Sequence, residues 1–173
     1  VLLERFPHRY VENGTLKKGK YDDRQKILDK LRNNLKEVDF DFFGYQNKEP
    51  LWADLCLESL KNYDMGLNLS RGKPIKYYSS DRIVQIIGNG LLCFINEKTE
   101  LQKIIPNNCA VYYKDLNDLT NKIRYYKKNT LKMKKIASNG KKLYNSKFNS
   151  TVVSQFILDK TFYINKKKKY LWS

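Results

Sequence analysis

Short apolar runs alternate with amphipathic helical patterns along this chain, and this alternation restricts the fold more than any other feature of the sequence. The clearest run is Leu91–Ile95, which consists of five apolar residues between Gly90 and Asn96. An uninterrupted apolar run of this length is typical of a strand that is buried on both faces of a parallel sheet. Because parallel strands need crossover helices between them, strands that alternate with helices favour such a sheet. The sequence therefore predicts an α/β fold, a Rossmann-like parallel sheet with helices on both faces.

Turn residues and hydrophobic spacing give the order of the elements. The predicted strands are Val1–Phe6, Val38–Phe43, Met65–Leu69, Leu91–Ile95 and Ala110–Tyr113. Seven helices are predicted. The first begins at Asp22 or Asp23 and has a stripe of Ile27, Leu28, Leu31 and Leu35, the second contains Leu51, Leu55, Leu57 and Leu60, and the third runs from a Ser or Asp cap to Gly90. The others are a short helix at Thr99–Ile105, Leu116–Lys127, a helix with a stripe of Met133, Ile136, Ala137 and Tyr144, and Val152–Phe162.

The charge of the chain is strongly positive, with 34 Lys and Arg against 18 Asp and Glu and a formal net charge of +16. Lysine supplies 27 of the cations and arginine 7, together with 17 asparagines, which is the bias of an A/T-rich genome. Three interpretations stay open: a basic surface without specific function, attraction to anionic membranes or other polyanions, and nucleic-acid binding. The scarcity of arginine, whose planar fork grips phosphate in two places, argues against sequence-specific nucleic-acid recognition.

Several classes of protein are disfavoured by what the sequence lacks. Cys56, Cys93 and Cys109 have no metal-ligand spacing and His8 is the single histidine, which argues against a zinc finger, a disulfide scaffold and a Cys/His nucleophile. The chain has neither a Gly-x-Gly-x-x-Gly motif after a strand nor a Walker A motif, so a dinucleotide dehydrogenase or a P-loop nucleotidase is disfavoured. It also has no acidic cluster and no apolar stretch of membrane-spanning length. We expect no metal, no cofactor and no membrane span.

The length of 173 residues and the hydrophobic fraction of 41% are those of one domain with its own core. We assign residues 1–165 to this domain and residues 166–173 to a basic tail, in which four consecutive lysines precede Tyr170, Leu171 and Trp172. Two interpretations of the tail are open. We favour a frayed, solvated end over attachment to an anionic membrane surface, to which each lysine would contribute about 1 kcal/mol.

Ligands of an open parallel sheet bind outside the carboxyl ends of the strands. Three loops are predicted there: Gly44–Asn47, Ser70–Lys73 and Ser79–Arg82. Because a helix N-terminus has unpaired N–H groups and a partial positive charge, Ser79, Ser80 and the amides near Arg82 are candidates for a diphosphate site. The same sequence is expected if Ser80 or Asp81 is only the N-cap of the helix, so a diphosphate site and a simple helix cap both stay open.

Three segments of the chain stand in a distinctive order and spacing: Asn68–Ser70 with Ser80–Leu92, Val111–Leu119 with Ile123–Tyr126, and Ile136–Gly140. Together they resemble the C-terminal half of GT-B glycosyltransferases, most closely the family-1-like set that includes the spore-maturation glycosyltransferases. In that family, Arg-x-Phe-Glu stands at a helix start, and Arg82-Ile83-Val84-Gln85 is similar to it. The resemblance covers about residues 22–162.

The resemblance implies the donor-binding domain of a glycosyltransferase of the hexosyltransferase type, which transfers a nucleotide-activated sugar to an acceptor hydroxyl. It also implies independence of a divalent metal, and it assigns no catalytic residue. The resemblance implies that Arg82, Asp81 and the amides of Ser79 and Ser80 lie near the diphosphate of the donor. It implies that Gln85 lies near the ribose and that Gly44 and Tyr45 lie near the base. Ser70, in the loop after the third predicted strand, is a further donor-binding position.

Gln85 departs from the family pattern, because the family has a glutamate that contacts the donor at this position. Tyr77, eight residues earlier, stands where a second glutamate is often found. Glutamine can donate and accept hydrogen bonds but cannot act as a base. Two alternatives to a transferase therefore stay open: a non-catalytic α/β binding module that has lost catalysis, and a polyanion-binding protein.

The family also has an N-terminal half that binds the acceptor. Because the chain begins with Val1, we expect that this half is missing from the sequence and that the fragment is incomplete. The expected partners are a nucleotide-sugar, the N-terminal domain of the same enzyme and an anionic membrane surface, without specific nucleic acid. The expected location is the cytoplasm, with peripheral attachment to the inner face of the membrane, and the expected process is synthesis of cell-envelope polysaccharide.

Overall fold

The computed structural model describes residues 2–5, 24–43, 48–51, 53–70, 72–164 and 170–172, with the backbone alone at residues 2–5 and 53. Strands and helices alternate as far as the fourth strand, and three successive helices follow the fifth. The strands are β1 (Leu2–Arg5), β2 (Phe40–Phe43), β3 (Met65–Asn68), β4 (Leu92–Asn96) and β5 (Val111–Tyr113), and the helices are α1 (Arg24–Asn34), α2 (Ala53–Leu60), α3 (Asp81–Gly88), α4 (Leu116–Lys128), α5 (Thr130–Lys147) and α6 (Ser150–Thr161).

The strands form one parallel sheet in the order β2-β1-β3-β4-β5. The strand order reverses between β1 and β3, since β2 lies on one side of β1 and β3 on the other. In doubly wound sheets this reversal opens a crevice at the carboxyl edge, where ligands bind. The predicted fold class is therefore confirmed, and the topology directs attention to the carboxyl end of β3.

Alternation along the strands divides the core between the two faces of the sheet. Leu92 and Phe94 of β4 pack with α1 and α4, whereas Cys93 and Ile95 pack with α3. All four side chains are fully buried. A strand buried on both faces has no polar position, which is the physical reason for the continuous apolar run in the sequence.

Helix α3 ends in a Schellman motif, as the predicted stop at Gly90 requires. Gly90 has a φ of +86°, and its N–H donates to the carbonyl of Ile87 at 3.0 Å. The N–H of Leu91 donates to the carbonyl of Ile86, also at 3.0 Å. This pattern satisfies the last carbonyls of the helix and turns the chain directly into β4.

Two predicted elements differ in detail from the structure. Of the leucines from which the second helix is predicted, Leu55 and Leu57 are 65% and 47% exposed on α2, and the inward face is formed by Cys56 and Leu60. The short helix expected at Thr99–Ile105 is two 3₁₀ turns, Glu97–Thr99 and Leu101–Lys103. Glu100 separates the two turns because its φ of +54° is incompatible with a continuous helix.

The prediction of a frayed C-terminus is also wrong for the last two aromatic residues, Tyr170 and Trp172. Tyr170 is buried, and its hydroxyl donates to Asp159 of α6 at 2.5 Å. Trp172 stacks on Phe148 with ring centroids 5.2 Å apart and lies edge-on to Phe156. Aromatic packing outweighs the entropy of a short tail here. Lys166–Lys169 lie outside the described residues.

Candidate functional site at the carboxyl edge of the sheet

The carboxyl end of β3 is joined to the start of α3 by two hydrogen bonds. The hydroxyl of Ser80 donates to Oδ1 of Asn68 at 2.7 Å, and Nη2 of Arg82 donates to the carbonyl oxygen of Leu69 at 2.9 Å. Asn68 is buried and Arg82 is half-buried. The guanidinium is therefore held in a fixed place at the positive end of a helix dipole.

Ser80 occupies the N-cap position of α3, with an extended backbone, but within the described residues its side chain makes no capping bond. Its hydroxyl is used by Asn68 instead. The amide groups of the first turn are consequently not shielded by a capping oxygen, which is the condition under which a helix N-terminus receives an anion. The exposed carboxylate of Asp81 stands at the same end and opposes that effect.

Ser79 anchors this turn to α5. Its side chain is hydrogen-bonded to the hydroxyl of Tyr144, which is buried in the core, and this burial raises the pKa of Tyr144 to about 12. Tyr144 is thus a neutral phenol throughout the physiological range. The hydroxyl of Ser79 serves the fold, and only its backbone remains as a candidate ligand.

A small recess lies between α2, α3 and the end of β2, and we call it the α3 recess. Its volume is about 20 Å³, and it is mostly apolar. Arg82 and Gln85 supply its polar side chains, and Phe43 lies directly before the predicted base loop at Gly44. The residues that line the recess are Phe43, Leu51, Cys56, Leu60, Arg82, Gln85 and Ile86.

A larger cleft opens at the carboxyl ends of β3, β4 and β5, towards α1 and α4, and we call it the strand-end cleft. Its volume is about 150 Å³. Its floor and walls combine apolar side chains with the polar side chains of Ser70, Asn96 and Asp115. A mixture of apolar walls and a few polar groups is typical of small-molecule sites.

The loop that leads into α3 is clamped to the turns that follow β4. Tyr77 has a φ of +58°, a left-handed conformation that is unfavourable for a tyrosine, and its N–H donates to the carbonyl of Thr99 at 2.7 Å. Its hydroxyl accepts from Nζ of Lys103 at 3.1 Å and donates to Oε2 of Glu100 at 3.3 Å. The ammonium groups of Lys103 and Lys76 bond the carboxylate of Glu100 and hold its pKa at about 2.

The structure brings together some of the predicted donor residues and separates others. Arg82 and Gln85 share the α3 recess, whereas Ser70 lines the strand-end cleft. Gly44 and Tyr45 lie outside the described residues, so their predicted contact with a base stays a prediction.

Asn96 and Asp115 are not among the site residues predicted from the sequence. Asn96 directly follows one apolar strand run, and Asp115 follows another run after a single lysine. That position, at the carboxyl edge of a parallel sheet, is the signal that could have identified them. The clamp on Tyr77 is not predicted either, because no local pattern links residue 77 to residues 100 and 103.

Two further observations concern the described residues alone. They contain no group of three or more His, Cys, Asp or Glu side chains that could hold a metal ion. None of the helices in this part of the chain is long and apolar enough to cross a membrane.

A five-stranded parallel sheet in this order, with two openings at its carboxyl edge, defines a Rossmann-like α/β domain of the ligand-binding type. The sequence matches the family described as "Glycosyl transferase-like" over residues 24–159, more than three quarters of the chain. The chain therefore belongs to the glycosyl transferase-like family, as the resemblance predicted. The match does not distinguish the spore-maturation subgroup. No curated protein and no solved structure is significantly similar to the chain.

Proposed function

We propose that this domain binds a nucleotide-activated sugar at the carboxyl edge of its sheet and presents it for transfer to an acceptor hydroxyl. Arg82 and the first-turn amides of α3 bind the diphosphate, Gln85 bonds the ribose hydroxyls, and the loop at Gly44 and Tyr45 contacts the base. The observation that carries the proposal is the fixed guanidinium of Arg82 at the N-terminus of α3, in the same recess as Gln85, in a chain of the glycosyl transferase-like family.

The chemistry of this arrangement is stabilisation of a leaving group. As the sugar departs, negative charge develops on the diphosphate, and a preorganised cation at a helix N-terminus stabilises that charge without reorganisation. Arg82 suits this role because its backbone contact to Leu69 orients the guanidinium before the donor arrives. The negative charge of Asp81 weakens the attraction of the N-terminus of α3 for an anion, so the positive charge of Arg82 is needed there.

Neither Arg82 nor Gln85 can remove a proton from an acceptor hydroxyl. We therefore place the base in the acceptor-binding half that the resemblance implies, or in the substrate itself. We expect such a half to pack on the outward face of α6, where Val153, Ile157 and Leu158 are exposed apolar side chains. We further propose that a hexosyl group is transferred to a cell-envelope polysaccharide in the cytoplasm, on the strength of the resemblance alone.

The experiment is a titration of the ¹⁵N-labelled chain with UDP and GDP, followed by NMR. We expect shifts for the amides of residues 80–85, with no sugar transfer by this chain alone. Arg82→Ala should weaken binding by roughly 10-fold to 100-fold, since a charge-assisted hydrogen bond is worth about 1.5–3 kcal/mol.

Arg124→Ala is the matched control. Arg124 lies on α4 and bonds Glu37 and the carbonyl of Asn34, at the end of α1 away from the carboxyl edge of the sheet. Its replacement should leave nucleotide binding unchanged. Equal dissociation constants for the Arg82→Ala variant and the unchanged chain would remove Arg82 from the site and, with it, the proposed function.

A further inference from the structure

The loop that leads into α3, residues 72–79, lies almost entirely at the surface. Apart from the half-buried Pro74, every residue in it is exposed. Segments that bury little apolar surface are at the low-stability end of a fold, so a small number of contacts decides their position. This loop is anchored at Tyr77, which bonds the turns after β4, and at Ser79, which bonds Tyr144 of α5.

Tyr144 is the inner end of a stack of three aromatic rings. Its ring stacks on that of Phe148, one turn further along the chain, with centroids 4.8 Å apart and an angle of 29° between the planes. Phe148 in turn stacks on Trp172, with centroids 5.2 Å apart and the same angle. Direct contacts therefore lead from Trp172 to the hydroxyl that bonds Ser79.

The outer end of the stack belongs to the C-terminal segment Tyr170–Trp172, which we call the aromatic latch. It is fastened to α6 through the buried carboxylate of Asp159, whose Oδ2 accepts from the hydroxyl of Tyr170 at 2.5 Å and whose Oδ1 accepts from Nε2 of Gln155 at 2.7 Å. Phe156 of α6 lies edge-on to both rings of the latch, with centroid distances of 4.9 Å and 5.6 Å. The latch thus joins α6 to the end of α5.

The inner end of the stack lies next to the proposed diphosphate site. Ser79 directly precedes Ser80, the N-cap of α3, and the hydroxyl of Ser80 bonds Asn68 at the end of β3. A displacement of Ser79 would turn the backbone at the cap and, with it, the first-turn amides of α3. Because those amides bind an anion only when they point at it, the position of Ser79 affects the affinity of the site.

We propose that Tyr144 is a positioning residue for the diphosphate site and that the aromatic latch acts on it through Phe148. With the latch docked, the hydroxyl of Tyr144 holds Ser79, and the first-turn amides of α3 point at the diphosphate. With the latch undocked, the stack loosens and donor binding weakens, while the sheet stays folded, since the two core clusters of the described residues include no residue of the latch. This inference rests on the proposed function and adds a means of regulating the same site.

The first test removes the bond between Tyr144 and Ser79 from either end. Tyr144→Phe keeps the ring in the stack, and Ser79→Ala leaves the core untouched because Ser79 is exposed. In NMR titrations with UDP and GDP, each variant should bind roughly twofold to tenfold more weakly, which is the range for a neutral hydrogen bond. The double variant should bind no more weakly than either single variant, since both changes remove the same contact.

Tyr112→Phe is the matched control for the loss of a tyrosine hydroxyl. The hydroxyl of Tyr112 donates to the carbonyl of Ile105 at 2.6 Å, in the segment before β5 and not in the loop that leads into α3. This variant should lose stability in urea and yet bind UDP and GDP like the unchanged chain. A purely structural role of Tyr144 would make Tyr144→Phe behave in the same way.

The second test undocks the latch. Trp172→Ala should shift the amide resonances of residues 79–82 in the free chain and weaken nucleotide binding by roughly twofold to tenfold, a usual range for residues that act on a site through others. Trp172→Phe can still stack and should restore both. Tyr163→Ala is the control, because Tyr163 is an aromatic residue that also follows α6 but is 93% exposed.

The inference is overturned if Ser79→Ala or Trp172→Ala binds UDP and GDP like the unchanged chain. Ser79→Ala keeps the test decisive even where Tyr144→Phe does not fold. Nucleotide binding that Arg82→Ala weakens but these variants leave unchanged would refute this inference alone. A lack of nucleotide binding by the unchanged chain would refute the proposed function and this inference together.

Discussion

Tyr77 and Glu100 show how single residues position the start of α3. Both have left-handed backbones, which cost on the order of 1 kcal/mol each for residues with a Cβ atom. The bonds of Tyr77 to Thr99, Glu100 and Lys103 offset that cost and hold the loop against the turns after β4. The position where the family often has a glutamate is thus used here for a structural contact.

We predict that Lys103→Met raises the pKa of Glu100 from about 2 towards its ordinary value of 4.5. The hydrogen bond from Lys103 is the largest cause of the lowered pKa, and Lys76 is the next. Since the pKa is lowered in the folded state, the contribution to stability is complete above pH 4.5 and is lost as the pH falls towards 2. The measurement is an NMR pH titration of the side-chain carboxyl carbon of Glu100.

Lys98→Met provides the control, because the exposed Lys98 is close in sequence and its side chain does not contribute to the lowered pKa. It should leave the titration of Glu100 unchanged. A pKa near 4.5 in the unchanged chain would mean that the clamp does not form in solution.

At the scale of the elements, α5 approaches the sheet so closely that one of its positions must be a glycine. A Cβ atom on Gly140 would lie 2.5 Å from the carbonyl oxygen of Cys109 and 2.9 Å from Cγ2 of Ile87. This contact explains the glycine in the segment Ile136–Gly140, which the sequence analysis recognised only by resemblance. The helix cannot retreat, because Ile136, Ala137 and Tyr144 are buried on either side of it.

We predict that Gly140→Ala destabilises the fold by roughly 1–3 kcal/mol, since the added methyl group meets backbone that cannot move away. Gly88→Ala is the matched control in α3, where a Cβ atom would have no neighbour within 4 Å. That change should be neutral or stabilise by up to about 1 kcal/mol. Urea denaturation followed by circular dichroism measures both, and equal midpoints for the two variants would contradict the close approach.

At the scale of the whole molecule, the basic residues are concentrated on α4 and α5. From Lys122 to Lys147 the chain has ten Lys or Arg and no Asp or Glu. The stripe of Met133, Ile136, Ala137 and Tyr144 packs inward, and the lysines of α5 are exposed. The aromatic side chains of Tyr170 and Trp172 pack on the domain, so the lysines are the groups left to attract an anionic surface.

We predict that the protein sediments with vesicles containing phosphatidylserine at low ionic strength and is released by 0.5 M salt, at which the Debye length falls to about 4 Å. Vesicles of phosphatidylcholine alone should not bind it. Replacing Lys134, Lys135 and Lys142 by glutamate should abolish sedimentation without loss of the fold, because all three are exposed. Failure to sediment at low salt would mean that the excess of lysine reflects only the A/T-rich bias of the genome and does not attract the protein to a membrane.

The sequence by itself determined the parallel α/β fold, the five strands and the stop of α3 at Gly90. These features depend on local chemistry, namely continuous apolar runs for strands buried on both faces and a glycine where the backbone is left-handed. The sequence also placed Arg82 and Gln85 at one helix start, because their spacing along α3 puts them on neighbouring turns.

The tertiary structure alone decided which polar groups meet. It assigned the hydroxyl of Ser80 to Asn68 and not to a cap, placed Ser70 in a different opening from Arg82, and brought Glu100 to Tyr77. It also packed Trp172 onto Phe148 where a frayed end was expected. Each of these contacts joins residues that are distant along the chain, and their energies depend on burial and geometry that no local spacing encodes.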